Sequence, residues 1–128
     1  MIAIPTRWRT TLEEQVADAT RRVTAAEAQL AGGNGGRALQ EAYPAVVAAA
    51  TVQVWIAEPP WRRALSAPEM QRRVREAFPS HFAALAALDL RDVLNSPWPV
   101  ESARPYIAEA RAFVTATTQR LETWLAQG

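Results

Sequence analysis

The sequence predicts an all-α protein, an antiparallel up-and-down bundle of four to five helices in a single domain over residues 1–128. Apolar residues recur at alternating spacings of four and three near both ends of the chain, which is the signature of a helix with one buried stripe. Glycine and proline clusters cut the chain at helical lengths, and no segment alternates apolar and polar residues as a half-buried strand does. A chain of 128 residues is one domain in length and buries a core without staples.

Residues 1–10, with Pro5, read as an N-terminal arm. The first helix is expected to start at Thr11, because Thr11 and Glu14 have the spacing of a capping box. Leu12, Val16, Ala19, Val23, Ala26 and Leu30 then form its stripe, and the glycines of "GGNGG", 32–36, end it. A linker this short favours an antiparallel neighbour. The second helix is expected over 37–57. From Ala42 it carries no charge until Glu58 and is apolar all round, so it should be the most buried. Pro44 lacks an amide hydrogen and should kink this helix or mark its true start.

Ser66 and Glu69 form a second capping box, with Pro68 in the first turn, and open a helix carrying Met70, Val74 and Phe78. Pro79 breaks it. Ser80 should cap a further helix with Phe82, Leu85 and Leu88 on one side, ending near Asn95. "NSPWP" is a break with two prolines. The last helix should start near Ser102, with Pro105 in its first turn. Ala103, Ile107, Ala110, Val114, Thr117, Leu121 and Trp124 form its stripe.

Composition excludes several chemistries. There is no cysteine, hence no disulfide, thiolate nucleophile or thiolate metal site, which fits a cytoplasmic location. The single histidine, His81, cannot supply the paired Glu-x-x-His ligands of a carboxylate di-metal bundle, so no metal or other cofactor is expected. No serine lies in a nucleophile elbow, and "GGNGG" lacks the lysine and the preceding strand of a phosphate loop. His81, at a helix start, reads as a solvated or capping residue. The apolar run 42–57 would be about 24 Å long as a helix and contains Pro44, Thr51 and Gln53. It reads as a core helix, and no membrane span is expected.

The net charge is +1, too small for a dedicated nucleic-acid coat, yet all fourteen basic residues are arginine. Arginine grips phosphate and carboxylate bidentately; an alanine- and arginine-rich genome gives the same bias. Arg62, Arg63, Arg72, Arg73 and Arg75, beside Trp61, are a candidate phosphate or base-stacking site. The alternative is a solvated face with local ion pairs to Glu58, Glu69 and Glu76. Of five tryptophans, Trp8 and Trp61 fall in segments expected to be irregular and are candidates for a partner interface.

The early amphipathic helix, the glycine linker into "RALQEAYPAVVAAATVQVW", and "RDVLNSPW" before the terminal helix together resemble the HEPN domains. Ribonucleases of that family carry an Arg-x-x-x-x-His motif, often with Asn after the Arg and an aromatic two residues past the His. The matching positions here are Arg91, Asp92, Ser96 and Trp98. Aspartate replaces the Asn and serine the His. RNA cleavage by a 2′-hydroxyl needs a proton-transfer group that titrates near neutrality, which serine is not. Asp92 adds a negative charge beside the phosphodiester. The resemblance therefore implies a catalytically silent member that binds a nucleotide or RNA, or is the partner of a minimal nucleotidyltransferase in a toxin–antitoxin-like pair. It also implies a homodimer, expected to bury apolar surface of the first or last helix. A rearranged ribonuclease site, and a helical interaction protein in which "RDVLNSPW" is only a turn, are the alternatives.

Overall fold

A computed structural model describes residues 3–127. Six helices form: α1 (Thr6–Ala31), α2 (Gly35–Ala57), α3 (Ala67–Glu76), α4 (Ser80–Ala86), α5 (Leu90–Asn95) and α6 (Val100–Gln127). The fold is an all-α bundle, and no strand occurs among the described residues.

The three long helices pack on one another in pairs. α1 runs against α6: Arg9 Nη2 donates to the Leu125 carbonyl at one end, and Arg111 pairs with Glu27 nearer the other. α2 and α6 run in the same direction, since Gly35 lies against the backbone of Trp98 and Pro99 while Gln53 bonds Thr117. Between them α3, α4 and α5 carry the chain back along the bundle. Arg73 of α3 reaches Glu58 at the end of α2, and Gln40 near its start donates to the Leu94 carbonyl of α5. The up-and-down order is thus kept, with the third limb broken into three short helices.

The two long stripes are buried as their spacing requires. Leu12, Val16, Ala19, Val23 and Ala26 of α1 are buried, as are Ala103, Ile107, Ala110, Val114, Thr117 and Leu121 of α6. α2 contributes the largest share of the core, including Ala45, Ala48, Ala49 and Ala50, whose small side chains allow close helix approach. Thr117 is fully buried but satisfied: its hydroxyl donates to the Phe113 carbonyl and accepts from Gln53 Nε2 at 2.8 Å.

Several boundaries differ from expectation. α1 begins at Thr6, so residues 6–10 of the expected arm are helical, while residues 1–2 lie outside the described residues. Pro5 fixes the entry, and its carbonyl accepts from the amides of Trp8 and Arg9. Thr11 is therefore inside the helix, where its hydroxyl donates to the Arg7 carbonyl instead of capping. Ser66 does cap α3, with the Glu69 amide donating to Ser66 Oγ at 3.3 Å; the Glu69 carboxylate accepts from the Ser66 hydroxyl, also at 3.3 Å, and not from its amide. Ser80 is the first residue of α4, not its cap; Pro79 holds the capping position.

The expected helix from Ser80 to Asn95 is two helices, parted at Ala87–Asp89. The break leaves Leu88 59 % exposed and lets α5 turn Val93 and Leu94 toward the core. α6 begins at Val100, two residues before the expected start, so Pro105 lies in the second turn and not the first. Its missing amide leaves the Glu101 carbonyl without a helical donor. Both residues are exposed, so water can reach that carbonyl.

Trp8, expected in an irregular segment, lies on α1. It packs with its ring centroid 5.5 Å from Trp55 and 5.8 Å from Trp61, which in turn meets Trp124 at 5.9 Å. Trp55, Trp61 and Trp124 pack against the small core formed by Leu12, Val16, Val52, Ile56 and Leu121, and Trp8 of α1 meets the first two of them, which ties α1 and α6 to the close of α2.

Candidate functional site

The segment Arg91–Trp98 spans α5 and the turn into α6. Arg91, Asp92 and Ser96 are all exposed. Their side chains do not form a joint catalytic cluster. Ser96 Oγ donates to the Asp92 backbone carbonyl at 2.6 Å, closing the end of α5. Trp98 turns inward: its indole Nε1 donates to the Val93 carbonyl at 2.8 Å, and its ring meets Tyr106 edge-on at 5.3 Å. Pro97 and Pro99 flank it, and Pro99 accepts from the amides of Ser102 and Ala103 to open α6.

The same turn is pressed against the start of α2. A Cβ on Gly35 would lie 2.3 Å from the Trp98 carbonyl oxygen, so only glycine admits this approach. The glycine linker and the proline break, far apart in sequence, are thus one joint in space. Gly33, at φ 83°, makes the left-handed bend that ends α1.

Beside the joint lies an open, mainly apolar groove of about 410 Å³, whose walls include Leu85, Leu88, Val93, Trp98 and Tyr106. Leu88, on the short limb, is the exposed large apolar residue among the described residues.

His81 has an orienting partner that spacing did not indicate. Its Nδ1 lies 2.9 Å from Glu109 Oε2 on α6, and its backbone amide donates to the same oxygen. Ser80 Oγ donates to Glu109 Oε1 at 3.1 Å. The carboxylate thus serves both residues at the start of α4. Since the serine proton goes to the carboxylate, this is a helix clamp and not a nucleophile–base relay.

The arginines of 62–75 are largely committed. Arg63 pairs with Glu69 at 3.5 Å, Arg72 with Glu76 at 3.4 Å, and Arg73 with Glu58. Arg62 is exposed on the turn after α2. Arg75 forms no ion pair among the described residues and lines a pocket of about 360 Å³ between α2 and α3, with Tyr43, Gln71 and Phe78. Burial pushes the Tyr43 phenol up, and the Arg75 charge acts in the opposite direction.

Among the described residues no cluster of histidine and acidic side chains is placed to hold a metal, and no helix is long and apolar enough to cross a membrane. Comparison with family models, curated proteins and solved structures finds no match for this chain.

Proposed function

We propose that this chain is a non-catalytic, HEPN-like helical bundle of the cytoplasm, acting as a homodimer that binds a nucleotide or a minimal nucleotidyltransferase partner. The Arg91–Trp98 joint carries this proposal. Arg91 stands exposed in the first turn of α5, while the position a ribonuclease needs for proton transfer holds Ser96, whose hydroxyl is spent on the Asp92 carbonyl. The apolar groove beside it, with Leu88 open to water, is the surface that a second copy or a partner would cover.

Nucleotide titration at about 50 and 200 mM salt tests the binding role. Affinity should fall as salt rises, and Arg62→Ala with Arg91→Ala should weaken it further at low salt. Light scattering at high micromolar protein should give twice the chain mass, and Leu88→Glu should return it to a monomer. A salt-insensitive nucleotide affinity, or a wild-type monomer, would count against the proposal.

A second role, a helical interaction protein with no nucleotide chemistry, is favoured by one observation. Arg63, Arg72 and Arg73 are each taken up by a neighbouring glutamate, as in a solvated helix face. Absence of nucleotide binding at low salt, with the dimer intact, would select it.

A further inference from the structure

Arg75 differs from the other arginines of α3, and unlike Arg62, which also lacks an ion pair among the described residues, it lines a pocket. Arg63, Arg72 and Arg73 each have a carboxylate, whereas Arg75 has none among the described residues and borders a concave surface. The walls of that pocket are mixed in a particular way. Val47, Met70, Val74 and Phe78 supply an apolar bed. Tyr43 and Gln71 supply a phenol and an amide, and no acidic residue lines it. Thr51 is not a free donor, because its hydroxyl is bonded to the Val47 carbonyl at 2.8 Å. Phe78 meets Tyr43 edge-on at 5.9 Å, which fixes the aromatic wall, and Val74 and Phe78 are rooted in the core.

A site with one positive charge, no negative charge and an apolar bed suits an amphipathic monoanion. A single guanidinium presents one planar fork, which matches a carboxylate; a phosphate dianion calls for more than one cation. At about 360 Å³ the pocket is near the lower end of small-molecule sites, with room for one ring and a short arm. We propose that the α2–α3 pocket binds a small aromatic monocarboxylate, with Arg75 clamping the carboxylate and Met70, Val74 and Phe78 bedding the ring. This site is separate from the Arg91–Trp98 joint and does not depend on the nucleotide proposal.

The chain has two methionines, Met1 and Met70, so a 13C-methyl methionine label gives a two-signal spectrum in which Met70→Leu assigns the pocket reporter. Phenylacetate is the probe. It should shift the Met70 signal saturably, with Kd at or below about 1 mM. Arg75→Gln should weaken it at least about tenfold, as expected on losing a charge-assisted contact. Phenylacetamide, of the same shape but neutral, should bind wild type about tenfold less well and be indifferent to Arg75→Gln. Inorganic phosphate should not displace phenylacetate. Arg75 is exposed, so its replacement leaves the fold intact, which an unchanged thermal unfolding midpoint by circular dichroism checks. No saturable shift at about 10 mM phenylacetate would overturn the proposal. So would an affinity untouched by Arg75→Gln, or displacement by phosphate at equal concentration.

Discussion

Replacing Gly35 and Gly36 by alanine, one at a time, should move stability in opposite directions. At Gly35 the new Cβ would meet the Trp98 carbonyl oxygen at 2.3 Å and the Pro99 carbonyl group at 3.2 Å. These are backbone atoms of the joint that opens α6, so no side chain can rotate away. Overpacking of this kind costs about 1–3 kcal/mol, with the value here near the upper end. Loss of unfolded-state freedom returns about 0.4–1 kcal/mol. The net is about 2 kcal/mol of destabilisation, or a fall of about 8 °C in Tm for a domain of this size. At Gly36 the nearest atom, the Ser96 carbonyl oxygen, is 3.7 Å away, an ordinary contact. Only the helix-propensity gain remains, about 0.5–1 kcal/mol, and Tm should rise by about 2–4 °C. Thermal unfolding followed by circular dichroism reads both. A neutral or stabilising Gly35→Ala would refute the close approach of α2 to the proline joint.

Three further outcomes follow from named contacts. The Arg111 hydrogen bonds hold the Glu27 carboxyl below its ordinary range, with burial opposing them, so the pair stabilises the fold above the unfolded pKa and is lost as pH falls through the folded one. Both side chains are more than a third exposed, so the effect is at most about 1 kcal/mol; Glu27→Gln should lower stability at pH 7 and flatten the acid limb of a urea-midpoint profile. Trp98→Ala should cost about 2–3 kcal/mol, less than a fully buried tryptophan, while Trp98→Phe keeps an aromatic ring and loses about 1 kcal/mol with the bond to Val93; chemical denaturation showing no cost for Trp98→Phe would contradict a role for the indole N–H. The double change Asp92→Asn and Ser96→His restores the family motif and should confer RNA cleavage on a scaffold that is HEPN-like; a folded, inactive double variant would leave only a turn.

Much of the bundle was legible because a stripe reports burial directly. Val16, Val23, Ile107 and Val114 lie in the core as the four-three spacing required. Ser66 caps α3 as its spacing to Glu69 requires, whereas Thr11, at the same spacing from Glu14, caps nothing. The motif marks a helix start only where the preceding residue leaves the helix, and Pro5 had already started α1. The break at Ala87–Asp89 carries no proline or glycine; it arises because α5 turns Val93 and Leu94 onto the core, a tertiary demand. Glu109 at the start of α4 and the four-tryptophan cluster are long-range meetings that no local window contains. Among the arginines, the sequence marks the group but not which members lack a carboxylate, Arg62 and Arg75 among the described residues, nor that Arg75 borders a pocket. Arg72 and Arg73 find partners four residues ahead and fifteen behind, while Arg75 finds none among the described residues.

The central claim is that Arg91–Trp98 binds or joins but does not cleave. The direct measurement is ribonuclease activity of the purified wild-type chain beside Arg91→Ala, on single-stranded RNA at neutral pH. Both proteins should leave the substrate intact over the background rate, because Ser96 is bonded to the Asp92 carbonyl and a serine hydroxyl cannot act as general acid or base near neutrality. Cleavage by the wild type that Arg91→Ala abolishes would contradict the claim and make this segment an active site.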